Sequence, residues 1–190
     1  MTSKRGVSMR WLVMGTVAAV LAGCGPGDGV EQAVAPVNGC AAAASGAWSS
    51  FQIAANVSGG ECATAEASIA LTNEAGEQVW AQSYLVAHVM TLADAATAQD
   101  MQRRLAEWIT SAGPALDSAG DLPDWPRGAA TPVGGEFPFY TDEGVTQRQY
   151  TALRAGDAPM FCYVQGMESL RCLIDDNGQI ATLGVQSFPG

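Results

Sequence analysis

The chain has 190 residues, enough for one domain and a tether but short of two ordinary domains. Asp and Glu number 19 against 9 Lys and Arg, a formal charge of −10. Such a surface repels phosphate, which excludes a nucleic acid partner and electrostatic adhesion to anionic lipid. A single histidine leaves one imidazole for the whole chain, and so little scope for Ser–His or Cys–His catalysis.

Lys4, Arg5 and Arg10 flank or precede an apolar run from Trp11 to Val20, which Leu21, Ala22, Gly23 and Cys24 follow. Basic residues, then about ten apolar ones, then small ones make a secretory signal; a membrane span needs about 18 or more. The Leu21-Ala22-Gly23-Cys24 ending resembles the lipobox of bacterial lipoproteins. The resemblance implies a signal peptide over 1–23, diacylglycerol on the Cys24 thiol, and a partner membrane reached through acyl chains. It places the protein outside the cytoplasmic membrane. By the same resemblance Gly25, standing where Asp would retain the protein, implies an outer membrane facing the periplasm in a cell with two membranes. Removing 1–23 leaves 167 of the 190 residues, deletes the sole lysine and takes the charge from −10 to −13. Acyl chains anchor without basic help, because each buried methylene contributes roughly 0.8 kcal/mol.

Residues 24–38, rich in Gly, Pro, Val and Ala, read as a flexible tether carrying the lipid. With Cys24 set aside, Cys40, Cys62, Cys162 and Cys172 remain, an even number that reads as two disulfides in an exported chain. Three pairings are open; nearness in sequence favours Cys40–Cys62 and Cys162–Cys172, each contributing about 3 kcal/mol. No close Cys-x-x-Cys pair supports zinc, and no cofactor motif is present.

Ser49–Val57 alternates, with Phe51, Ile53, Ala55 and Val57 on one face, and predicts a half-buried strand. Cys62–Thr72 alternates again, and after the turn at Asn73–Gly76 a third strand runs from Gln78 to about Val89. Its odd positions are expected to face the core with those of its neighbours. Thr97 and Asp100 open a helix over about 98–112, with Met101, Leu105, Trp108, Ile109 and Ala112 as its apolar stripe and Gly113-Pro114 as its stop. Residues 115–144 hold Pro123, Pro126, Pro132 and Pro138 without a period, and read as an irregular segment whose rings tuck against the domain. Thr146-x-x-Gln149 is a capping box opening a short helix over about 147–155. Met160–Gln165 and Ser169–Asp175 form a hairpin with both cysteines on one face, and Gln179–Ser187 a last strand. Together these predict an α+β fold: an antiparallel sheet of about six strands in two meanders, one long and one short helix and two disulfides, in one domain over 39–190.

Trp80, Tyr84 and His88 share the even face of the third strand with Gln78 and Gln82, and form a candidate binding face for a sugar or peptide through stacking and amide hydrogen bonds. Packing of these rings is the structural alternative. No Gly-x-Ser-x-Gly elbow surrounds a serine. Asp175-Asp176-Asn177-Gly178 lacks the ligand order of a calcium loop and reads as a turn. Glu136, Asp142, Glu143 and Glu168 could supply a carboxylate pair, although nothing singles two of them out. The expected function is therefore a non-enzymatic, lipid-anchored envelope module that binds a protein, peptide or glycan. The alternatives are a cell-wall hydrolase using paired carboxylates, and an inhibitor of a basic envelope hydrolase, which an acidic module would suit electrostatically.

Overall fold

The computed structural model of the chain describes residues 39–110 and 116–188. The signal peptide, Leu21-Ala22-Gly23-Cys24 and the tether lie outside the described residues, as does the expected helix stop at Gly113-Pro114. Alternating side chains build a first antiparallel sheet from β1 (Ala42–Trp48), β2 (Phe51–Ser58), β3 (Glu66–Thr72) and β4 (Gln78–Leu85), paired in sequence order. A second sheet, ordered β5-β8-β7-β6, holds β5 (Phe139–Thr141), β6 (Met160–Val164), β7 (Ser169–Asp176) and β8 (Gln179–Ser187). The fold is α+β, with eight strands where about six were expected. The two additional strands are β1, whose small residues carry no period, and β5, hidden in the Pro-rich stretch.

Two disulfides, Cys40–Cys62 and Cys162–Cys172, each stay within one sheet region. They suit an oxidising compartment outside the cytoplasm. Among the described residues, no helix is long and apolar enough to cross a membrane.

The odd residues of β2 and β3 are buried, from Phe51 to Val57 and from Ala67 to Leu71. In β4 the parity is the reverse of the expectation. A register shift pairs Leu71 with Trp80 but Thr72 with Gln78, so Val79 is an extra residue. One added residue turns every later side chain to the other face. Trp80 and Tyr84 therefore point to the core side, while Val79 and Leu85 stand outside, 40% and 49% exposed.

Helix α1 (Ala98–Thr110) opens as its cap predicts: the Thr97 hydroxyl accepts from the Asp100 backbone N–H at 3.1 Å. It lies on β1 and β2, coming so near Gly46 that a Cβ there would sit 3.4 Å from Ile109. Its buried Met101, Leu105, Trp108 and Ile109 fill the space between the helix and the sheets. The Trp108 indole donates to the Val164 carbonyl at 2.6 Å, tying α1 to the end of β6. Trp48 meets Phe161 at 5.7 Å, and Trp80 and Tyr84 both meet Tyr163, so a layer of rings joins the two sheets.

Helix α2 (Gln147–Ala155) has the expected capping box, Thr146 with Gln149. It also holds down the Pro-rich segment. The Tyr150 hydroxyl donates to the Pro123 carbonyl at 2.8 Å, Arg154 to that of Leu122 at 2.7 Å, and Gln147 to that of Trp125 at 2.9 Å. Trp125 and Phe139 pack on Tyr150 as expected of tucked rings. Phe137 and Tyr140 do not; they are 47% and 53% exposed.

Candidate functional site

The expected face of Trp80, Tyr84 and His88 does not form one. The third strand ends at Leu85, and Val86–His88 is a 3-10 turn that leaves the His88 side chain exposed and off the sheet. Trp80 and Tyr84 are half-buried and engaged: Trp80 meets Tyr163 edge-on at 5.8 Å, and Tyr84 meets Trp108 at 6.0 Å. The hydroxyls of Tyr84 and Tyr163 share a hydrogen bond of 2.6 Å. These rings are packing between the sheets, the structural alternative weighed above.

The tyrosine pair does carry an electrostatic consequence. Burial pushes the Tyr163 hydroxyl far above the ordinary tyrosine range, and the charge and hydrogen bond of Tyr84 add to the effect. Burial likewise raises Tyr84, against the opposing hydrogen bond of Tyr163 and the charge of Arg171. Tyr150 is raised mainly by burial too. The fold thus favours the neutral phenols, while the unfolded chain's tyrosines ionise near pH 10, the ordinary tyrosine value. Their stabilisation is complete below about pH 10 and is lost as pH climbs toward the raised folded values. Denaturant midpoints should fall steeply above about pH 10 and fall less in Tyr163→Phe; a wild-type midpoint unchanged through that range refutes the effect.

The carboxylates are distributed unequally. Asp142 is taken up by Arg171, whose Nη1 donates to both its oxygens at 2.8 and 3.0 Å while Nε reaches Gln165. Glu136 and Glu168 are exposed and do not line the cleft between α2 and the β7–β8 turn. Glu143 is different. It lines a cleft of about 600 Å³ between α2 and the β7–β8 hairpin, together with Asp175, Asp176 and Asn177. Val145, Leu153, Ile174, Ala181 and Leu183 give the cleft an apolar floor, and among the described residues no Arg, Lys or His lines it.

Local chain geometry positions the acids. Asn177 (φ 54°) and Gly178 (φ 85°) make the tight turn between β7 and β8, where left-handed backbone favours Asn and Gly. Asp175, 9% exposed, accepts from the Gly178 backbone N–H at 2.6 Å and from the Ser49 hydroxyl at 2.7 Å. Ser49 sits in the β1–β2 turn, so this bond also ties the first sheet to the second. Glu143 is held at the rim because the Asp142 N–H donates to the Leu183 carbonyl at 3.0 Å. A cleft with carboxylates over an apolar floor can hold a cationic group on a short apolar stem. Among the described residues, no three of His, Cys, Asp and Glu stand close enough to hold a metal ion.

Sequence reasoning had Glu143 among its acids and read Asp175–Gly178 as a turn, but joined neither to α2. No family model, curated protein or solved structure matches the chain.

Proposed function

We propose that the protein is a lipoprotein of the bacterial envelope, anchored through Cys24, whose domain is a non-enzymatic binding module. The cleft between α2 and the β7–β8 hairpin is its ligand site, and the ligand presents an amine or guanidinium, as on a basic peptide. One observation carries the reading: Glu143, Asp175 and Asp176 line an apolar-floored cleft that, among the described residues, no basic side chain lines. The acidic charge of the whole chain adds steering for a cation.

Calorimetric titration with short Lys- or Arg-containing peptides tests it. Replacing Glu143 by Gln and Asp176 by Asn should each weaken binding about tenfold, the scale of one lost charge-assisted hydrogen bond. Added salt should weaken it as well. Affinity indifferent to both substitutions and to salt rejects the site. The carboxylates gathered there also suit the second reading, a hydrolase: loss of cell-wall hydrolysis in Glu143→Gln would replace binding with catalysis. Mass spectrometry of the membrane fraction tests the anchor, which an unmodified Cys24 would refute.

A further inference from the structure

Among the described residues, strand β4 is one edge of the first sheet and β1 is the other. The Val86 N–H donates to the Ala65 carbonyl at 2.9 Å, continuing the β3–β4 ladder one pair beyond Glu66 and Leu85. Antiparallel pairs alternate between bonded and non-bonded, so the even residues of β4 bond to β3. Ala81, Ser83 and Leu85 accordingly turn their N–H and C=O groups away from the sheet. The outward Ser83 carbonyl has only a 3.4 Å contact from the Gln82 side chain.

Natural edges are guarded by charge, proline or cover. The other long edge in contact with this layer, β6, is covered: Trp108 donates to its Val164 carbonyl and the Met90 N–H reaches Gly166 just beyond it. Gln78–Leu85 has no charged residue and no proline in a strongly acidic chain, and its one guard is the bulge at Val79. It also carries the two large apolar side chains exposed on the first sheet, Val79 and Leu85. These two stand symmetrically about Gln82, with the small Ala81 and Ser83 between them.

We propose that β4 is a self-association edge: two copies pair antiparallel about a two-fold axis at Gln82, joining two four-stranded sheets into one continuous sheet. In this register Ala81 of one copy faces Ser83 of the other, and the outward backbone groups are exchanged on both sides of the axis. Val79 of each copy covers Leu85 of the other. The interface is isologous and closes at two copies, whereas β4 on β1 would build an open chain. Both copies are acidic, so salt strengthens the association by screening their repulsion.

The pairing puts the two Gln82 residues opposite each other in a non-bonded pair, with Cα atoms about 4.5 Å apart, within disulfide reach. In the full chain carrying Cys24→Ser, Gln82→Cys should give a covalent dimer under mild oxidation. Its yield should be at least tenfold above that of Asn56→Cys on the outer face of β2 or Ala43→Cys on β1. Equal yields at the three positions, or a higher yield at Ala43→Cys, overturn the proposal. Adding Ala81→Glu with Ser83→Glu should abolish the cross-link by repulsion, while Ala81→Lys with Ser83→Glu should keep it, each cation meeting an anion across the axis. Both pairs of substitutions alter exposed side chains, so the comparison is made between folded proteins. Cross-linking indifferent to this choice of charges also overturns it.

Discussion

Replacing Trp108 by alanine is expected to cost about 4 kcal/mol of stability, the upper range for removing a large aromatic from a core. The indole is fully buried, and its neighbours cannot close the space it leaves. Tyr84 and Tyr163 meet it edge-on at 6.0 and 5.8 Å, each already fixed by the hydrogen bond between their hydroxyls. Its N–H is also the partner of the Val164 carbonyl at 2.6 Å. Trp108→Phe separates the two contributions, because it keeps most of the ring and strands the carbonyl. Its cost should be about 2 kcal/mol. Urea midpoints of the two variants decide the matter, and an alanine variant within about 1 kcal/mol of wild type would show that the ring layer does not hold the sheets together.

Gly184→Val should destabilise by about 3 kcal/mol or more, through collision rather than cavity. Gly184 lies in β8 between Cys172 and Thr141, where the β5 backbone comes unusually close. A Cβ there would stand 2.8 Å from a Phe139 ring carbon and 2.9 Å from the Thr141 Cα. Backbone cannot rotate aside, so β5 must leave β8. The effect should reach the cleft, because β5 leads directly into Asp142, which holds Arg171, and Glu143, which lines the site. Hydrogen exchange should show β5 amides losing protection ahead of β6 and β7, and cationic-peptide binding should weaken with them. Full β5 protection in the variant would mean that the strand yields without separating, and would sink the explanation.

How far the sequence discloses this structure depends on whether the signal is local. The β2 and β3 cores show because alternation there is strict and one face is wholly apolar. Helix α2 shows because Thr146 and Gln149 satisfy its first amides whatever lies around it. The disulfides could be paired because each joins cysteines near in sequence, and Cys162 and Cys172 face each other directly across β6 and β7. The parity of β4 is a different matter. Both of its faces carry apolar residues, Val79 and Leu85 against Trp80 and Tyr84, and a one-residue bulge chooses between them. β1 offers only small residues on either parity before Trp48, and β5 is three residues between Pro138 and Gly144. The cleft is the least legible feature, since Glu143, α2 and the β7–β8 turn meet only after the second sheet has closed. The glycine in β8 did carry a readable signal, because glycine inside a strand marks a bulge or a close backbone approach.

The strand order also sets a timetable. The first sheet uses consecutive strands and is complete once the chain has reached Leu85, whereas β5 must wait for β8 to pair Phe139 with Gln186. Short loops close early and the long one last, so the second sheet should be the slow step of folding. A chain emerging into its compartment from the amino end would present β1–β4 as a finished sheet while β5 and β7 still lacked β8 between them. During that interval the rings of Trp80 and Tyr84 have no second sheet to rest on. Delay in delivering the last strand would therefore lengthen exposure of aromatic surface, and aggregation during export should respond more to substitutions in β8 than to equally destabilising ones in β2.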